Sequence, residues 1–255
     1  MAKQVYDICN GKNFTRGQST EHLRSYKIIN PDAKKYGYYD PTRMRLNFEV
    51  TTGGKVIPIN QSYPIDRRIK DSLKRRGIKD PNEEKIKKGL APNRNTIANI
   101  ILGGSTDKML ELAFGNQKYD LTKNADNSHL QRKEDIERWA VDMYSWAANK
   151  YGEENVVAFI VHLDESNPHV HCTIIPIDEK GRVSYNKIFG GSKNKARAKF
   201  NEVHDEIATI NEKWGLKRGD GTTGRHISTD EYWRELREKC DKEIDSVEKQ
   251  VAYNI

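Results

Sequence analysis

The chain has 255 residues, with 44 Lys and Arg against 37 Asp and Glu and a formal net charge of +7. That length suits one domain of above-average size with a helical tail, and the positive balance favours a polyanionic partner. Cys9, Cys172 and Cys240 are widely spaced and form no CxxC pair, which points to a reducing cytoplasm rather than a disulfide framework. No secretory signal opens the chain, and apolar runs such as VVAFIV (156–161) fall far short of the roughly 20 residues that cross a bilayer.

In chain order, YDICN, RLNFEVTT and KVIPI read as strands within the first 60 residues. Between them GKNFTRGQSTEHLRS is rich in Gly, Ser, Thr and Lys and reads as a long loop. Residues 64–90 place Ile65, Ile69, Leu73 and Ile78 at near-helical spacing, interrupted by Gly77 and Pro81, which predicts a short basic helix, a turn and a second short helix or loop. NTIANIILGGS (95–105) reads as a buried strand. In KEDIERWAVDMYSWAANKYG (133–152), Ile136, Trp139, Ala140, Met143, Trp146 and Ala147 recur at 3,4 spacing, an amphipathic helix closed by Gly152.

That helix runs into ENVVAFIVHLD and HVHCTIIPI, two strands joined by the turn residues ESNP and expected to pair as an antiparallel hairpin. Side chains alternate along a strand, so His169 and His171 share one face, about 7 Å apart, while Val170 and Cys172 take the other. His162 ends the preceding strand, where the turn can bring it beside that pair. Three neutral imidazoles with an open side make a catalytic metal site, since a closed structural zinc site takes four protein ligands. Imidazoles suit several divalent ions. Asp164 and Glu165 stand between the ligands, available to orient a histidine or move a proton, or simply to cap the turn.

HLDESNPHVH, after a helix and a hydrophobic strand, resembles the third motif of the Mob/Pre (MobV-type) plasmid mobilization relaxases of the HUH endonuclease superfamily. INP (29–31), RLNFEV (45–50), GRVSYNKIFG (181–190) and GLKRGDGTTGRHISTDEYW (215–233) resemble further segments of that family. The resemblance implies an α+β fold, a single HUH-type domain whose central antiparallel sheet carries the histidine triad between flanking helices, followed by a C-terminal helical extension. It implies a bacterial cytoplasmic enzyme that nicks one DNA strand at a transfer origin by transesterification and stays linked to the 5′ phosphate. The cofactor would be a divalent ion, manganese or magnesium, and the substrates single-stranded and hairpin DNA. No GxxxxGK[ST] loop occurs, as expected where bond energy is kept in a protein–DNA link.

Within the family the nucleophile is a histidine near the N-terminus in a pattern resembling HxxR. His22 in STEHLRSYK fills that place, although the arginine, Arg24, follows two residues later rather than three. A neutral imidazole attacks without a separate base. Tyr26 is the competing nucleophile, and Tyr36, Tyr38 and Tyr39 are more distant ones. For DNA, Lys70, Arg75 and Arg76 in the 67–76 segment of DRRIKDSLKRR are expected on phosphates and Arg94 of APNRNT on a base edge. Lys193, Lys195 and Arg197 in GGSKNKARAKF, with Asn47 of RLNFEV, complete that set.

From Thr229 onward, Trp233, Leu236, Cys240, Ile244, Val247 and Val251 recur at close to heptad spacing. The expected organisation is therefore a relaxase domain at 1–228 and, at 229–255, the start of a helical extension through which a longer chain can dimerise. Two other readings use the same residues: a rolling-circle replication initiator, whose tyrosine would stand on a helix after the metal motif, a place that Tyr185 in VSYNKIF fits poorly, and a DNA-binding module with a structural metal.

Overall fold

The computed structural model describes residues 2–26, 39–122 and 125–219; the expected helical tail and the INP segment lie outside them. Six strands form one sheet: β1 Gln4–Gly11, β2 Phe48–Thr51, β3 Lys55–Ile57, β4 Ile97–Gly104, β5 Val156–His162 and β6 His169–Ile174. Their order is β1-β4-β6-β5-β2-β3, and every pair is antiparallel. The helices are α1 Arg16–His22, α2 Ile65–Arg75, α3 Glu83–Lys87, α4 Thr106–Phe114, α5 Glu134–Tyr151, α6 Tyr185–Phe189 and α7 Lys193–Asn211.

Alternation decides the two faces. Val170, Cys172 and Ile174 of β6, with Ala98, Ile100 and Leu102 of β4, point into the main core, where they meet Trp139, Ala140 and Met143 of α5 and Val203 and Ile207 of α7. The opposite face carries Ala158, Ile160, His162, His169 and His171, and a smaller core covers part of it. There Leu23, beside α1, and Ile65, Ile69 and Leu73 of α2 pack on Ala158, Ile160 and Ile97. The expected hairpin is therefore present, with its hydrophobic and imidazole faces as alternation requires.

One expectation fails. Residues 16–22 are helix, not loop. Thr15 starts it with a capping box: its hydroxyl accepts from the Gln18 backbone N at 3.1 Å, and its own N–H donates to Gln18 Oε1 at 3.0 Å. Two residues past the end of the helix, Arg24 sits at φ +52°, a left-handed conformation that a non-glycine residue adopts only under constraint, and turns the chain away from the helix. His22 is thus fixed at a helix end rather than held on a mobile segment.

Candidate metal centre

His162 is the last residue of β5 and lies directly opposite His169, with His171 two residues on along the same face. One nitrogen from each of these rings and an oxygen of Glu165 all lie within 4.8 Å of one another. The rings' other partners set their tautomers. His169 Nδ1 is 2.9 Å from the Asn167 carbonyl, to which it must donate, so its Nε2 carries a lone pair. His162 Nε2 is 2.8 Å from the His22 carbonyl, which leaves its Nδ1 as the lone-pair atom, 3.6 Å from Glu165 Oε1. His169 Nε2 and His171 Nε2 are 2.9 Å apart, close to the roughly 3.0 Å expected of two nitrogens at right angles around an ion with bonds of about 2.1 Å. The donor set, three imidazoles and one carboxylate, fits a divalent ion with positions left open.

Burial disfavours the charged form of His169 and His171. It lowers His169 below its ordinary value and His171 well below it, and neighbouring imidazoles add to the effect at His171. Burial pushes the Glu165 carboxyl up, but His162, His169 and the Arg24 guanidinium outweigh it and hold it well below the usual carboxylate range. A carboxylate anion beside the uncharged His169 and His171 rings is the protonation state a cation requires.

Arg24 ties this cluster to the N-terminal segment. Its Nε and Nη2 donate to Asp164 Oδ2 and Oδ1 at 2.9 and 3.0 Å, a two-pronged bond in which both side chains are almost fully buried. Nη2 also donates to Glu165 Oε1 at 2.6 Å and lies 3.2 Å from His162 Nδ1. The Tyr39 ring covers the guanidinium, 4.5 Å from its centroid. Among the described residues Asp164 accepts no hydrogen bond from these histidines; it orients Arg24. The two-residue spacing from His22 does not prevent this, because the left-handed backbone at Arg24 points its side chain into the site.

His22 is stacked on His171, with centroids 4.1 Å apart and planes at 27°, and meets Phe14 edge-on at 5.4 Å. Its Nδ1 has no hydrogen-bond partner among the described residues. Burial, then His162 and Arg24, push its pKa down to about 3. Tyr26 is half-buried and stacks instead on Tyr39, at 6.3 Å and 9°. Its phenol is raised by burial and by Glu21. Tyr36 and Tyr38 lie outside the described residues.

The family model for Mob_Pre, plasmid recombination enzyme, matches residues 116–234, which include the whole histidine motif. The chain is 36% identical over 105 residues to the plasmid recombination enzyme type 1 of Staphylococcus aureus, a match covering 39% of this chain and 25% of that one. It is 26% identical over 129 residues to a plasmid recombination enzyme of Bacillus thuringiensis, covering 50% of this chain and 27% of that one. The matched segment thus spans about a quarter of the curated relatives' length. Among solved structures, the manganese-bound MobM relaxase domain on plasmid pMV158 oriT DNA has the same fold, with a TM-score of 0.61 at 18% identity, covering 92% of this chain and 99% of that one. A complex of the same domain with a 26-nucleotide oriT DNA gives a TM-score of 0.53 at 16% identity, covering 90% of this chain and 99% of that one.

Around this site, several supporting residues were not evident from sequence. Arg43, 3% exposed on its side chain, donates to the carbonyls of Leu163 and Glu165 at 2.8 and 3.2 Å and is itself held by Asp40 at 2.9 Å. Asn127 Nδ2 donates to the same Asp40 carboxylate at 2.8 Å. Asn47, expected on DNA, is buried, and its Oδ1 accepts from the Leu163 N–H at 2.7 Å. It braces the ligand turn instead. Arg76, expected on phosphate, is largely enclosed and donates to Asn155 Oδ1 and Glu154 Oε1 at 2.8 and 3.0 Å. It ties the end of α2 to the segment before β5. Lys70, Arg75, Arg94, Lys193, Lys195 and Arg197 are exposed. Fully buried Asn82 pins the backbone that presents Arg94, accepting from Arg94 N at 3.0 Å and donating to its carbonyl at 2.8 Å.

Proposed function

We propose that this chain is a metal-dependent relaxase that nicks one strand of single-stranded or hairpin DNA at a transfer origin, with His22 as nucleophile, during mobilization of a plasmid or related element. The observation that carries the reading is the His22 ring, neutral and unpartnered at Nδ1, stacked on one of the four donors. A divalent ion held by His162, His169, His171 and Glu165, manganese by analogy with the MobM domain, would draw charge from the scissile phosphate. His22 forms the P–N bond as the P–O3′ bond breaks. The leaving 3′ oxygen takes up the proton that the His22 ring sheds, and a 5′ phosphoramidate results. Asp164 holds Arg24, and Arg24 holds Glu165 in place. The exposed cations Lys70, Arg75, Arg94, Lys193 and Lys195 supply phosphate and base contacts.

Cytoplasmic location and dimerisation through 229–255, beyond a relaxase domain at 1–228, complete the proposal. Among the described residues no helix is long and apolar enough to cross a membrane. The replication-initiator reading is disfavoured, because Tyr185 packs against the main core on the face away from the imidazoles. The test is incubation with manganese and single strands spanning the host element's origin, followed by denaturing gels. A covalent complex that requires the ion supports the reading, whereas binding without cleavage makes the chain a DNA-binding module.

A further inference from the structure

We infer that the cleft between edge strand β1 and the α6–α7 segment is a second ligand site, which takes one unpaired nucleotide with its base among aromatic rings and its phosphate at Lys193 and Arg197. The cleft has a volume of about 520 Å³, within the range of small-ligand pockets. Tyr185 and Phe189 line it with centroids 4.8 Å apart, and Tyr151 lies 5.3 Å from Phe189. Such rings give a base a stacking surface whatever its identity.

Two observations make this more than a gap. The Tyr151 hydroxyl, buried in the cleft wall, interacts with that of Tyr6, which also lines the cleft, and because each hydroxyl both donates and accepts, the pair keeps capacity for a further hydrogen bond to a ligand. The four cations lining the cleft also divide cleanly. Lys150 pairs with Glu202 and Glu206, and Lys199 donates to the carbonyls of Lys187 and Ile188. Lys193 and Arg197 are exposed one turn apart on α7, with no carboxylate partner among the described residues. Asn10 adds an amide able to pair with a base edge.

Position links the cleft to the proposed chemistry, and the source of the nucleotide rests on that reading. Ile8 of the cleft aligns with Ile100 and Cys172, one residue beyond the row of His171. Two inter-strand steps separate β1 from β6, on the order of 10 Å. A single strand leaving the metal face therefore has only to pass over the β1 edge to place a base in the cleft. A free mononucleotide offers the same chemistry.

The full chain, without added metal, is titrated with fluorescein-labelled oligodeoxythymidylate and, separately, with dTMP. Tyr185→Ala and Arg197→Ala should each weaken oligonucleotide binding about tenfold, while Tyr185→Phe, which keeps the ring, stays within about twofold. Arg197 is exposed, so its variant does not depend on tolerance of a core change, and unchanged manganese binding and melting confirm the fold of each. Variant-sensitive binding of dTMP alone would assign the cleft to free mononucleotides. If Tyr185→Ala and Arg197→Ala bind both probes as the parent does, or the parent binds neither, the site is overturned. Manganese-dependent adduct formation by the parent reports separately on the nickase reading.

Discussion

Replacing Arg24 by Met removes the cation that donates two bonds to Asp164, whose side chain is wholly buried at 0% exposure while that of Arg24 is 3% exposed. Water cannot take the place of the lost donors, so the carboxylate is left as an uncompensated interior charge. Breaking such a pair from one side costs about 3–5 kcal/mol. Two charge-assisted hydrogen bonds at about 1.5–3 kcal/mol each lead to a similar figure. For a domain of this size that lowers Tm by about 6–20 °C. Urea unfolding followed by fluorescence of the buried Trp139 and Trp146 measures it, with the loss appearing in the midpoint rather than the slope. Arg24→Met combined with Asp164→Leu removes the orphaned charge and should recover at least about 2 kcal/mol relative to Arg24→Met alone. A single variant within about 1 kcal/mol of the parent, or a double variant no more stable than the single, would refute the reasoning.

Replacing His169 or His171 by Ala should abolish manganese binding in calorimetry while DNA affinity changes by less than about threefold, because recognition is spread over distant cations. Changing Lys70 and Arg75 together to Ala should flatten the salt dependence of single-strand binding by about 1.4 in log–log slope, whereas Arg76→Ala should leave that slope unchanged and lower stability. Gly190→Ala should destabilise the fold, since Gly190 has φ +96° and its added methyl would lie 2.6 Å from the Ala196 nitrogen; a thermal melt matching the parent would show that the α6–α7 turn relaxes freely.

Much of the fold was legible where periodicity is local. The β5–β6 hairpin and α5 follow directly from two- and 3.6-residue spacing, and the clustering of the imidazoles from three histidines on one strand pair. Helix α1 was missed because seven residues with few apolar positions give almost no period; the one readable signal was Thr15 followed by Gln18, a capping box without a hydrophobic run behind it. Arg43 and Asn47 were beyond reach as site supports for another reason. Each meets the ligand turn more than 100 residues away in sequence, and neither spacing nor composition reports such a contact. Arg24 was found by resemblance, but its fork on Asp164 depends on a left-handed turn that sequence pattern does not favour at arginine.

The central claim is that His22 attacks the phosphate. Incubation of the full chain with manganese and an origin single strand carrying a scissile bridging phosphorothiolate traps the adduct, and peptide mass spectrometry locates it. The account predicts an acid-labile phosphoramidate on His22 that is lost in His22→Ala while manganese binding persists. An acid-stable adduct mapping to Tyr26 would contradict it and move the chemistry to a phenol.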